Sequence, residues 1–232
     1  MNLLNDIEIF DLGLYYEETL IISDLHIGFD EEMKSKGVLI PYSHFDDVFS
    51  KIKEMLNELK PERVVINGDL KHEYGRVSKS EKENITKLAK YIMARCELII
   101  IKGNHDVMLG FILEGLGVEI HDSFVVGELF ICHGDRVIEN DKSIIVIGHE
   151  HPTLELTESG RKERYKCFLK GKYKDKTLIV LPAFSPTSMG MNVLLNDRMS
   201  PYLERMDGFE VIVAEANGMK FGTVGELKVM MK

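Results

Sequence analysis

Cysteine is scarce in this chain. There are three in 232 residues, an odd number without the spacing of a metal site. Cys132 and Cys167 fall in strand-like runs and read as small buried hydrophobes. Long apolar runs are missing as well: LIII (98–101) and IIVI (144–147) have strand length, far short of a membrane span. The opening MNLLNDIEIF has neither the basic region nor the apolar stretch of a secretory leader. A reduced, cytoplasmic protein is therefore expected, with no membrane partner. Positive charge is also in deficit. The formal net charge of −9 excludes a surface that is basic all over. No internal repeat, low-complexity tract or linker interrupts the chain.

What is present is ordinary globular material, 44% hydrophobic and 29% charged, in a chain long enough to bury a full core. The acidic total hides one asymmetry: Arg161 to Lys176 carries +6, leaving −15 for the remainder. Apolar runs with polar, glycine-containing exits recur at TLIISDLHIG (19–28), VVINGD (64–69), LIIIKGNHD (98–106), LFICHG (129–134) and IIVIGHEHP (144–152). Helical patterns separate the early ones. HFDDVFSKIKEMLNELK (44–60) repeats Phe45, Val48, Phe49, Ile52, Met55, Leu56 and Leu59 on one face. SKSEKENITKLAKYIMARC (78–96) opens with Ser78 and Glu81 in capping-box spacing. Strands alternating with helices predict parallel units whose strand C-termini share one edge, where open α/β sheets carry their sites. Beyond His151 the pattern turns antiparallel. Residues 164–184 should turn around Gly171 to Asp175, and 209–227 should form a hairpin with an Asn217–Gly218 turn. Between them a short helix is expected from Ser200–Pro201. Loop 184–208 faces either the site edge or a subunit contact; its residues leave this open.

Each strand exit carries the same chemistry: Asp24 and His26, Asp69, Asn104 with His105 and Asp106, His133, then His149 and His151. His72 follows Asp69 by three residues, whereas His44 and His121 take no role. Imidazole mixed with carboxylate suits manganese, iron, cobalt, nickel or zinc. Seven candidate ligands exceed the need of one tetrahedral zinc, so two ions sharing a carboxylate are more economical, with Asp69 central. Two divalent cations and two aspartates leave about +2, a field that favours an anionic phosphate ester.

Taken in order, D-x-H (Asp24, His26), G-D (Gly68, Asp69), G-N-H-D (Gly103 to Asp106), a later His133 and G-H-x-H (Gly148 to His151) resemble the calcineurin-like metallophosphoesterase signature. The match covers residues 19–152. The resemblance implies an α/β fold, a four-layer α-β-β-α sandwich of two mixed sheets flanked by helices, as one domain over 1–232 without a capping domain. GDLKH (68–72) is similar to the SbcD-type repair nucleases. The compact length is similar to archaeal SbcD-related phosphoesterases and bacterial ligase-associated phosphoesterases; nothing points to an SbcC-like ATPase partner. Carried over, one ion, manganese foremost, would take Asp24, His26, Asp69 and His151, and a second Asp69, Asn104, His133 and His149. His105 would protonate or stabilise the leaving oxygen, Asp106 would orient His105, and His72 would position the phosphate.

Three functions compete: a phosphodiesterase or nuclease on DNA or RNA, a hydrolase of small phosphoesters or nucleotides, and a non-catalytic protein-binding scaffold. The scaffold reading fares worst, because no ligand is missing. In the first, Lys166, Lys170 and Lys172 of the basic segment would follow a nucleic-acid backbone. Alternatively that segment is an edge hairpin kept from aggregating by its lysines. A homodimer is compatible with all three.

Overall fold

The first half of the chain builds one sheet. The computed structural model describes residues 1–38, 43–158, 161–188, 190–195, 197–214 and 218–230. Strands β1 (Asn2–Leu4), β2 (Ile7–Phe10), β3 (Gly13–Tyr16) and β4 (Thr19–Ile22) form an antiparallel meander. Helices α1 (Phe29–Ser35) and α2 (His44–Leu59) lead to β5 (Arg63–Asn67), α3 (Lys79–Met93) to β6 (Glu97–Ile101), and α4 (Leu109–Leu113) to β7 (Ile120–His121). From β4 onward the neighbours are parallel, so β4, β5 and β6 all end at one edge. Both helices expected from the 3.6-residue period form. Ser43 caps α2 by accepting the Asp46 N–H, and Ser78 caps α3 by accepting that of Glu81.

The second half builds the other sheet from β8 (Ser123–Val126), β9 (Leu129–Cys132), β10 (Ile144–Ile147), β11 (Pro152–Glu158), β12 (Arg161–Tyr173), β13 (Lys176–Val180), β14 (Met191–Asn192), β15 (Glu210–Val213) and β16 (Met219–Thr223), followed by α5 (Val224–Met230). The order is β14-β11-β12-β13-β10-β9-β8, with β15 on β12 and β16 on β15. Here β9, β10 and β13 are the parallel set.

The period of two in these strands explains the layering. Ile131, Val146, Phe168, Ile179 and Ile212 face a core shared with the first sheet, α2 and α3. Cys132, Ile145, Ile147, Leu169 and Val180 face the opposite way, under Tyr202, Leu203, Met206 and the α5 residues Val224 and Leu227. Two mixed sheets flanked by helices result, as expected. The outer layer on the second sheet is thin: a seven-residue helix and the coil before it.

Several local expectations need correction. Gly171 is not a turn residue: it stays in β12 paired with Leu178, and a Cβ there would lie 2.4 Å from Cγ of Phe209. The turn sits at Lys174, in the left-handed region at φ 54°. Ser200–Pro201 opens a turn rather than a helix: the Ser200 hydroxyl accepts the Tyr202 N–H while donating to the Gly134 carbonyl, and no helical turn follows. Residues 224–227 leave the hairpin for α5, whose start is a reciprocal box of Thr223 and Glu226. Asn217 lies outside the described residues. Among the described residues no helix is long and apolar enough to cross a membrane.

One polar pair fastens α3 to the site edge. Lys71 is fully buried, 3.7 Å from Oε1 of the buried Glu81, and that oxygen also accepts the His72 N–H. Removing one partner of a buried ion pair strands the other charge. Glu81→Ala is therefore expected to cost about 3–5 kcal/mol, read as a lower urea midpoint at constant m-value.

Candidate metal centre

Parallel strands from both sheets deliver their C-terminal ends to one place, and main-chain bonds join the exits there. Asp24 N donates to the Gly68 carbonyl, Gly148 N to that of His133, and Ser185 N to that of Asp24. Three glycines let the exits crowd together. A Cβ on Gly148 would sit 1.8 Å from Oγ of Ser23, and one on Gly103 would sit 2.2 Å from Oδ1 of Asp69. On Gly68 it would strike the His133 ring.

The side chains then fall into two groups with one member in common. Ligand atoms of Asp24, His26, Asp69 and His151 lie within 4.8 Å of one another, as do those of Asp69, His133 and His149. Asn104 joins the second group, its Oδ1 3.0 Å from Nε2 of His133. His149 and His151 thus serve different groups: Nδ1 of His149 is 3.2 Å from Nε2 of His133, and Nε2 of His151 is 3.4 Å from Nε2 of His26. Strand-like alternation does not produce this separation. His149 and His151 have φ of 63° and 48°, and Asp24, His26 and Asp69 are left-handed too. Asp and His tolerate that region better than most residues, and such strain collects at functional sites.

The groups fit divalent cations on their own chemistry. Nδ1 of His133 lies 3.3 Å from the Asn67 carbonyl, and Nδ1 of His151 2.9 Å from the Ser188 hydroxyl. Each partner fixes its ring and leaves Nε2 for the cluster. Oδ1 of Asp24 is buried with no hydrogen-bond donor assigned to it, facing Nε2 of His151 at 3.2 Å, a costly state that a cation between them would relieve. Electrostatics agree. Burial opposes ionisation of Asp24, yet His151, His133 and His26 hold its carboxyl well below the usual range. Burial and the neighbouring His151 push His26 down to about 3. These are the protonation states in which such donors bind metal. Burial would lower His133 too, but contact with Asp69 and the charge of Asp24 push it up to about 9. The cluster draws positive charge.

Around this centre the remaining residues divide. The backbone N–H of His105 donates to Oδ1 of Asp69 at 2.9 Å, while its Nδ1 bonds the His72 carbonyl at 2.6 Å. Its ring lies 5.3 Å from that of His26 and belongs to neither donor group. Asp106 does not orient it. The Asp106 carboxylate is buried and accepts N–H groups from Gly103, Lys71 and Leu70, tying the second and third exits together. Burial and the charge of Asp69 push it up to about 6. Nε2 of His72 contacts Glu32 of α1 at 2.5 Å, and its Nδ1 is buried without a partner.

Of the three lysines, Lys166 lies beneath the site edge, donating to the carbonyls of Ala183 and Ser185. Lys170 pairs with Glu210 at 2.9 Å. Lys172 is level with Thr177 and hence with Ile144, three rows back from the site end of β10 and roughly 10 Å away along the strand. Its Nζ donates to Oγ1 of Thr177.

Ser185 and Ser188, at the start of the 184–208 segment, lie at the site edge. Glu150, buried between the two histidines, holds the segment by accepting the N–H groups of Met199 and Ser200 at 2.9 Å. Local spacing does not reveal Ser188 or Glu32, whose partners lie 37 and 40 residues away in sequence.

A family model described as calcineurin-like phosphoesterase matches residues 18–214. Among solved structures, the nuclease MPE of Pseudomonas putida is similar at 21% identity and a TM-score of 0.64, covering 90% of this chain and 92% of that one. The phosphoesterase YfcE of E. coli is similar at 13% identity and a TM-score of 0.47, covering 88% and 96%. No curated protein matches.

Proposed function

Since the chain belongs to the calcineurin-like phosphoesterase family, whose members are divalent-metal hydrolases, we propose that it hydrolyses phosphodiester bonds of nucleic acid with a pair of transition-metal ions, manganese foremost. One observation carries the reading: Asp69 is common to two donor groups otherwise made of different residues. Such ions would neutralise the phosphate and acidify a water.

The protein's own groups do the rest. Asp24, His26 and His151 form one half of the cradle and Asn104, His133 and His149 the other, with Asp69 between. His105, its Nδ1 tied to the His72 carbonyl, has Nε2 left to exchange a proton with the leaving oxygen. His72, held at Nε2 by Glu32 and with its ring stacked 6.2 Å from that of His105, positions the phosphate beside it. The likeness to the Pseudomonas putida nuclease favours a diester over a monoester. Within the family, the GDLKH stretch (68–72) supports a place near the compact SbcD-related and ligase-associated phosphoesterases.

The test is a panel in Mn²⁺ buffer: a chromogenic diester, its monoester, and labelled single-stranded DNA and RNA. Turnover of the diester and of a nucleic acid is expected. Turnover of the monoester alone would replace this reading with a small-phosphoester hydrolase.

A further inference from the structure

The basic segment of β12 is largely spent on pairing within the sheet; a second cationic surface lies along α3, where Lys79 meets Glu83 at 3.8 Å while Lys82 and Lys87 face rings. An open groove of about 900 Å³ runs along α3, lined by Lys79, Lys82, Lys87, Lys90 and Arg95 and floored by Phe49 and Tyr91. Glu83 is the one carboxylate in its lining. In a chain of net charge −9 this concentration of cations is local and one-sided. Its lysines lie over rings: Lys82 is 4.2 Å from the Phe111 centroid and Lys87 4.9 Å from that of Phe49. Cations interleaved with aromatic faces are what single-stranded nucleic acid uses, phosphates on one and bases on the other.

The groove also begins at the right place. The first turn of α3 is fixed to the centre through Glu81 and the His72 N–H. Phe111 belongs to α4, which begins at Leu109, four residues after His105. Between them Tyr74, 67% exposed, meets the His105 ring edge-on at 6.4 Å, and Phe111 is 53% exposed. An exposed ring beside a proton-transferring histidine offers a base a place to stack. From there α3 extends roughly 22 Å at 1.5 Å per residue.

We propose that this face, entered at Tyr74 and Phe111 and continued by Lys82, Lys87 and Lys90, is the track that holds single-stranded nucleic acid against the metal centre. The inference rests on the phosphodiesterase reading above and extends it to a substrate class and a binding surface. The track acts by counterion release and stacking, so it accepts DNA or RNA with little preference for sequence.

The test is fluorescence anisotropy of a labelled single-stranded oligonucleotide in EDTA, with cleavage in Mn²⁺ measured in parallel and normalised to turnover of the chromogenic diester. The triple variant Lys82→Glu, Lys87→Glu, Lys90→Glu, with folding checked by circular dichroism, should bind at least about ten-fold more weakly. Its slope of log affinity against log salt should be shallower by about two. Normalised cleavage should fall with it. Tyr74→Ala should weaken binding roughly ten-fold without moving the slope. Should the triple variant unfold, Lys90→Ala at its exposed position carries the same test, with a slope change of about 0.7. A folded triple variant with unaltered affinity, slope and cleavage overturns the track alone. Polyglutamate competing as strongly as the oligonucleotide overturns it in favour of an acidic protein partner. A native protein that turns over the small diester but neither binds nor cuts the oligonucleotide sinks the nucleic-acid reading and the track together.

Discussion

Asp69→Asn should empty both halves of the centre at once: metal content falls from a pair per chain toward none, and diester hydrolysis drops by about 10³-fold or more. The magnitude follows from Lewis-acid stabilisation worth several kcal/mol, at 1.36 kcal/mol per factor of ten. The substitution is chosen to spare the fold. Asparagine keeps an oxygen for the His105 N–H, now 2.9 Å from Oδ1, and tolerates φ near 45°. What it removes is the charge and the second oxygen that make the residue common to both groups. Metal analysis after dialysis against Mn²⁺, with circular dichroism as the control, reads the result. Full retention of one ion would show that the two groups load independently and that Asp69 is not their bridge.

His105→Ala should behave in the opposite way, lowering turnover by about 10²–10⁴-fold while metal content stays at the native level. The ring stands outside both donor groups, anchored at Nδ1 by a backbone carbonyl rather than by a shared ligand. Its role is also visible in the choice of leaving group. Nitrophenolate leaves without a proton, so the chromogenic diester should suffer much less than an oligonucleotide, whose alkoxide needs one. An equal loss on both substrates would make His105 a phosphate-binding residue instead. Loss of metal would place it in the coordination sphere.

The parts of this architecture that were readable in advance are those governed by short-range periodicity. Phe45, Val48, Ile52, Met55 and Leu56 announce α2 because helical spacing must hide them, and they are buried. The donor groups were readable for a similar reason: Asp24, His26, Asp69, Asn104, His133, His149 and His151 each follow a strand, and parallel strands end together. What failed was glycine taken as punctuation. Gly171 looks like a turn but serves the close approach of Phe209, a contact from 38 residues away. The Ser-Pro pair at 200–201 looks like a helix start, and the Ser200 hydroxyl does accept the Tyr202 N–H, yet only a turn forms there. The α5 start could have been found, because Thr223 and Glu226 have capping-box spacing. Asp106 misled because adjacency to His105 suggests partnership, whereas its carboxylate points at the main chain of neighbouring exits. No local rule gives the direction of a loop side chain.

The left-handed backbone at positions 24, 26, 69, 149 and 151 has a bearing on how such a chain can evolve. A β-branched or bulky newcomer there pays about 1–3 kcal/mol in main-chain strain before any cation is considered. Asparagine or glycine enters almost freely. Drift is thus steered by shape even after chemistry stops mattering. A descendant that abandoned catalysis should carry asparagine or glycine at these corners and still keep its outline, ready to be recruited for something else.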